Sequence, residues 1–572
     1  MAAPTPGRAF AAETRITLPT VVFSGESTFE TLQKESLLPR ERVKMEGVRG
    51  STLDELKWDT LYPVTSYGYP GGAMGVSLGG RSVDDTQVTT LGIPLNLPQG
   101  GGADLSTFPS FLWSKASAVS STSSAGFSQQ SVSGNLDLTP WTWEGVNPAD
   151  VRRPDSRITL SAERDVQSFS IGTRKQGFSV LAGSTFGRQT GPAGSLSYRF
   201  LSTPSLIMTA NVIGSDQDSE NPGPDNAPTP GARKHTVRIL PSLMTHWRSD
   251  ALKIQTTFFG DLQKTDSTDY DTHDELQVFG VESAVVAGDT TIALSARHVS
   301  FLNNSAGSFS EWPARGSITE AFHPSKSSVL KATLTTDYLS GYHVFAGARI
   351  SGELATAQKS KLFTEVQALP KFPSIQDRLY VLPAFGYRGN PDLSPETVYH
   401  LIAGYEDNAS WIRTRTEVKA EHREDAIVPT ADYSTMMNSG AANFLSLAHS
   451  ARIRIAPPLQ VRAQMLATYS RLDSTGRPFP RLPGFSLGGG LAYQPLDAWD
   501  LQTQVKWMGE STETDGSTLA DYLLLGEKIS FSPVENLRLV AGVDNLLDTR
   551  VEAIKHYPMP GRIFYASTEI GF

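Results

Sequence analysis

The stretch NLRLVAGVDNLLDTRVEAIKHYPMPGRIFYASTEIGF, residues 536–572, decides the fold. It holds a turn, Asn545-Leu546-Leu547-Asp548, and then a loop, Tyr557-Pro558-Met559-Pro560-Gly561-Arg562. A roughly alternating strand follows at 563–572 and ends the chain on an aromatic residue, Phe572. Pro fixes φ and Gly tolerates positive φ, so together they punctuate a loop between strands. A strand with one apolar and one polar face suits a sheet that meets hydrocarbon on one side only.

The same theme runs upstream to about Arg157. RITLSA (157–162), SVLAGS (179–184), LKIQTTF (252–258), TIALSAR (291–297), WIRTRTEVK (411–419) and LQTQVKW (501–507) are strand-like, and several alternate at period two. Polar or Pro-rich segments such as PGPDNAPTPG (222–231) separate them. A region of about 415 residues holds roughly 20 or more strands of barrel size. In hydrocarbon every backbone N–H and C=O needs a partner, so such a sheet must close. The expectation is an all-β transmembrane barrel of about 22 antiparallel strands. Trp411, Tyr493, Trp507 and Phe572 fall near the expected strand ends, where an interfacial girdle places aromatics. No blade-length repeat supports a soluble propeller instead.

Composition agrees. The 572 residues include 49 Gly and no Cys, which excludes disulfides, thiolate metal sites and thiol catalysis. The net charge of −9, with no block of Lys and Arg, argues against nucleic acid as a partner. No run of about 18 apolar residues marks a transmembrane helix, and barrel strands give only a weak hydropathy signal.

The N-terminal part lacks the alternation and is dense in Gly and Ser, as in Gly71-Gly72, Gly79-Gly80 and Gly100-Gly101-Gly102. It reads as a compact, loop-rich domain. With the family resemblance given next, the expected organisation is a leader remnant or disordered start at 1–12, a docking segment at 13–25, an α+β plug inside the lumen at 26–150 and the barrel at 151–572.

These motifs resemble those of TonB-dependent outer-membrane receptors. The family's "NL-x-D" turn, "YP-x-PGR" loop and terminal aromatic correspond to 545–548, 557–562 and Phe572, with Tyr557, Pro560, Gly561, Arg562 and Phe572 as the C-terminal assembly signal. Gly389-Asn390-Pro391-Asp392-Leu393-Ser394-Pro395-Glu396 is similar to "GNPDLKPE", and Phe372-Pro373-Ser374 with Leu379-Tyr380 to a family segment with shifted spacing. In the plug, Gly80, Arg81, Gln87, Gly92, Pro94, Asn96, Gly126 and Gly134 fall on family motifs. The family's Arg-Gly before its "PSSA" piece is replaced by Ser121-Thr122. Family plug charges pair with carboxylates inside the barrel, so a lost partner implies altered plug release. Leu18, Pro19, Thr20, Val21, Val22, Phe23 and Ser24 resemble a TonB box, an extended segment that adds a strand to a partner sheet.

The resemblance implies a monomer in the bacterial outer membrane, in contact with its lipid and with TonB and the inner-membrane energising complex. It implies active uptake of a scarce chelate and no enzymatic chemistry. Two acidic loops, with Asp216, Asp218 and Asp225 in one and Asp266, Asp269 and Asp271 in the other, suggest structural calcium. Cobalamin receptors of the family order their loops in that way. The resemblance therefore points to the vitamin B12 branch, with a ferric-siderophore receptor or a non-transporting binding barrel as alternatives.

Overall fold

The computed structural model describes residues 38, 41–45, 52, 56–59, 61, 64–69, 72–79, 81–121, 131–143 and 155–572, the last apart from 164, 176, 204, 270, 383–385, 431–433 and 514. Residues 18–24, Gly80, Gly126 and the expected boundary at 150/151 lie outside the described residues.

From Asp155 onward the chain forms a closed antiparallel barrel of 22 strands, counting Gly307–Glu311 and Ala314–Ser325 as one strand broken at Trp312-Pro313. The ring closes where the first strand, Asp155–Glu163, pairs with the last, Ile563–Gly571, in register from Tyr565↔Glu163 to Gly571↔Arg157. Closure leaves no row of unpaired backbone groups to face lipid. Each of the six alternating stretches read from the sequence falls within a strand or reaches at most one residue past its end.

Period two sorts the side chains. Along Val166–Lys175 buried and exposed residues alternate, with Ser168 and Ser170 inward and Phe169 and Ile171 outward. Phe258, Phe279, Leu334 and Val366 continue the exposed apolar face, while Thr209, Asn211, Gln217 and Arg238 line the buried one. This inverts a soluble protein: apolar side chains solvate in lipid and polar ones need partners inside.

The two barrel ends differ. One has short turns, such as 288–289, 326–327 and 358–359, and it carries Phe572, 71% exposed. The other carries the long segments 372–395, 425–441, 473–484, 509–521 and 545–562. Small hairpins stiffen them, including Ile427–Pro429 with Met436–Asn438 and Glu552–Ile554 with Tyr557–Pro558.

The N-terminal region is a five-stranded sheet in the order Glu41–Lys44, Trp113–Val119, Gly134–Pro140, Thr86–Thr90, Ile93–Pro94. The third and fourth of these are parallel and the other pairs antiparallel. Leu91 and Gly92, both at positive φ, make the tight turn from Thr86–Thr90 to Ile93–Pro94. Helix among the described residues here includes the single-turn pieces Leu105–Thr107 and Ser110–Leu112, and Thr52, Leu56 and Trp143 are helical. The main core packs Leu136, Leu138, Phe108, Phe111, Trp113 and Trp141 against lumen residues Leu181, Ile213 and Leu240. Polar contacts reach the wall from its first strand, through Arg157, to its last but one, through Asp544. The domain therefore stands in the lumen as a plug.

Candidate functional site

On one flank the plug meets the wall through ions. The turn at 82–85 is fixed by Asp85 N–H donating to the Ser82 carbonyl (3.2 Å) and Ser82 N–H donating to Asp85 Oδ2 (3.2 Å). Asp85 then receives Lys371 Nζ at 2.7 Å and Arg423 at 2.6 Å, both from the wall. Lys371 also meets Asp84 at 2.8 Å. The Asp85 backbone carbonyl accepts the N–H groups of Val132 and Ser133 at 3.0 and 2.9 Å. Beside it, Arg81 donates to Glu421 at 2.9 Å, with both side chains wholly buried. Glu421 is shared with Arg423 (2.6 Å), His400 (2.8 Å) and Ser133 Oγ (3.3 Å). The Phe444 ring lies 4.7 Å from the Arg81 guanidinium and 4.8 Å from that of Arg423. Lys419 and Gln367 donate to the Ser133 and Val132 carbonyls.

Burial alone would raise the Asp85 carboxyl, but the charges of Arg423 and Lys371 overcome it and hold it at about 2. Asp85 is therefore ionised at neutral pH. Removing one member of such a buried set strands the others, at a cost of about 3–5 kcal/mol.

The opposite flank is aromatic. Arg157 and Arg174 stack on Trp141 at 4.6 and 3.8 Å, and Arg238 lies 5.3 Å from the Phe108 ring. Arg238 is held by Asp261 at 2.6 Å and donates to the Leu95 carbonyl at 3.0 Å. Gln189 donates to the Ser106 carbonyl at 2.9 Å and Ser197 Oγ to Thr142 Oγ1 at 3.1 Å.

Above the plug, at the long-loop end, lies a chamber of about 580 Å³. Its floor is the plug apices, including Met74, Val83 and Gln99, and its roof is the long loops, including Pro480, Leu482 and Leu519. A second cleft of about 370 Å³ shares Tyr67 with it and is lined by Tyr69, Pro222 and Tyr557. Tyr67 and Tyr557 meet edge to face at 4.7 Å. Asp104, which caps the apex turn Leu105–Thr107, is held below the ordinary carboxylate range. Burial opposes this, and Lys234 at 2.9 Å overcomes it. A ligand in the chamber would touch loops and plug together.

A family model described as TonB dependent receptor-like, beta-barrel, matches residues 79–546. The chain belongs to the TonB-dependent receptor family. It is an outer-membrane receptor barrel. Among solved structures, the siderophore receptor PirA from Acinetobacter baumannii is similar, with a TM-score of 0.77 and 13% identity over 96% of this chain and 100% of that one. A ferric enterobactin receptor (PfeA) mutant from Pseudomonas aeruginosa gives 0.78 and 15% over 96% and 100%. The copper transporter OprC gives 0.76 and 13% over 93% and 100%. At these identities the likeness shows the fold alone. No curated protein matches the sequence.

The receptor's plug motif residues are dispersed by role. Arg81 enters the ionic flank. Asn96 braces the sheet, accepting Val88 N–H at 2.7 Å and donating to the Thr86 and Gly101 carbonyls at 2.8 Å. Gln87, Pro94 and Gly134 lie in sheet strands, and Gly92 in the turn. Of the Ser121-Thr122 pair that replaces the family's Arg-Gly, Thr122 lies outside the described residues. The second guanidinium at Glu421 comes from the wall, as Arg423.

The six acidic-loop residues do not gather into a cation cage. Asp216 pairs with His235 at 2.6 Å, Asp218 with Arg233 at 2.9 Å and Asp225 with Arg550 at 2.7 Å. Asp266 meets His273, Asp269 accepts from Asn221 at 2.6 Å, and the Asp271 carbonyl accepts from Asn304 at 2.7 Å. Among the described residues no three His, Asp or Glu side chains converge as metal ligands. Five of the six carboxylates, all but Asp271, are thus turned to separate side-chain partners and not to a common point.

Of the C-terminal motifs, the 545–548 turn and the 557–562 loop meet at the long-loop end, while Phe572 lies at the other end of the strand Ile563–Gly571. Asp548 Oδ1 accepts Arg562 N–H at 2.7 Å, and Arg562 Nε donates to the Leu546 carbonyl at 2.9 Å. Tyr557, Pro560 and Gly561 line the smaller cleft. Two G-x-S-x-G runs occur, at 75–79 and 484–488: Ser77 follows the plug strand Met74–Val76 and Ser486 lies inside the strand Phe485–Tyr493, both buried and neither on a described strand-to-helix turn that exposes a nucleophile. Sequence reading did not single out Lys371, Glu421, Arg423 or Arg481. The signal available was the alternation Lys419, Glu421, Arg423, three charges on one face of a membrane strand.

Proposed function

We propose that this receptor takes up a metal chelate of the siderophore type, driven by TonB acting on residues 18–24. The chamber carries the reading: it lies between the plug apices and the long loops, directly above a plug pinned by buried ions. Its volume of about 580 Å³ falls in the range of small-ligand sites. It favours a compact chelate over cobalamin, whose corrin ring and nucleotide tail are bulkier. The fold neighbours named as siderophore receptors agree with this preference.

In this scheme the ligand bridges loops and apices, and the N-terminal segment adds a strand to TonB. Force on that segment is transmitted to the plug. The contacts of Asp85 with Lys371 and Arg423 must then exchange partners before a path opens. No residue performs covalent chemistry.

Deleting residues 18–24 should abolish energised uptake of a ferric chelate under iron limitation and leave surface binding in place. Uptake unchanged by the deletion would refute the mechanism, and growth rescue by cobalamin alone would reassign the ligand.

A further inference from the structure

The charged side chains in the chamber wall are Arg81, Asp84, Asp104, Arg481 and Glu552. Each already has a partner of opposite sign. Arg81 meets Glu421 at 2.9 Å, Asp84 meets Lys371 at 2.8 Å and Asp104 meets Lys234 at 2.9 Å. Arg481 meets Glu513 at 2.7 Å, and Glu552 meets Arg550 at 2.9 Å. The wall is thus charge-balanced, and its remaining surface is apolar or neutral, as at Val64, Met74, Leu97, Leu482 and Ile554.

A polyanion entering such a space would lose water without gaining a cation, unless it stripped a guanidinium from its carboxylate and left that carboxylate buried. A neutral ligand meets no such penalty. A bare metal ion fares no better than a polyanion. No described lining residue is His and the chain has no Cys, so soft ligands amount to the thioethers of Met74 and Met508.

Resting on the uptake reading above, we propose that the chamber is built for an uncharged metal chelate, with the metal fully coordinated before arrival, and discriminates against polyanionic chelates. Shape is carried by the apolar wall and orientation by neutral donors such as Gln99 and Gln376.

Equilibrium binding to the purified full-length receptor, followed by tryptophan fluorescence, tests this with three probes: ferrichrome as a neutral ferric trihydroxamate, ferric enterobactin as a triply anionic tricatecholate, and copper(I) alone. The neutral chelate is expected to bind about tenfold or more tightly than the anionic one. Equal or tighter binding of the tricatecholate, or tight binding of bare copper(I), would overturn the proposal and leave TonB-driven uptake standing. Binding of none of the three would overturn both the proposal and the siderophore reading of the chamber. The variant Glu513→Gln removes the charge that neutralises Arg481 while keeping an acceptor for the Lys555 N–H. It should shift the ratio of affinities toward the anionic chelate by roughly three- to tenfold. An unaltered ratio in a variant that still migrates as a folded barrel would also overturn it.

Discussion

The two flanks of the plug hold the same domain in the same lumen by different physics. On one, Arg81 and Asp85 are tied to Lys371, Glu421 and Arg423. On the other, Trp141, Phe108 and Phe111 pack against the wall under arginines that are themselves anchored. Ionic contacts inside a protein add little net stability, because desolvation offsets attraction, but losing one partner is costly. Aromatic burial is non-directional and tolerates small slips. A plug that must seal at rest and yet shift under force can use the second kind of contact as gasket and the first as latch.

The contrast breaks most easily at Glu421. Glu421→Ala removes the carboxylate that Arg81 shares with Arg423, Arg423 keeping Asp85, and should lower plug stability by about 3–5 kcal/mol, read as an earlier urea transition of plug fluorescence ahead of barrel unfolding. Adding Arg81→Ala should cost less than the sum of the single changes. Next in size is acid. Asp85 carries a depressed carboxyl, so its contribution is present above the ordinary unfolded value of about 3.9 and is lost as pH falls toward about 2. Plug stability should be flat from pH 8 to about 5 with respect to this group and drop below about 4, and Asp85→Asn should flatten that drop.

The aromatic flank should respond to shape instead. A Cβ at Gly172 would lie 2.7 Å from Leu181 and 2.8 Å from Trp141, so Gly172→Ala should cost about 1–3 kcal/mol in the same urea assay, with no dependence on salt. The smallest effect is expected for Thr142→Val, which deletes the hydrogen bond accepted from Ser197 and the longer one donated to Ser195 and should cost about 1 kcal/mol.

The sequence made the barrel legible because lipid imposes period two wherever it touches, and Ser168, Phe169, Ser170 and Ile171 show it within four residues. The plug was legible through motif residues such as Arg81 and Asn96, whose roles are local or face one partner. The latch was not. Asp85 lies hundreds of residues from Lys371 and Arg423, and only the seating of the plug against the wall brings it within 2.7 Å of both. The same distance hid the fate of the acidic loops. Asp225 pairs with Arg550, which no local spacing reveals. Glu421 likewise draws its second guanidinium, Arg423, from its own strand in the wall.

Both flanks together should leave the lumen sealed, and ion conductance through planar bilayers tests that most directly. The full-length receptor should insert without steady conductance, and a chain lacking residues 1–143 should give large, persistent steps. Persistent conductance of the full-length chain equal to that of the truncated one would contradict a plug seated in the barrel.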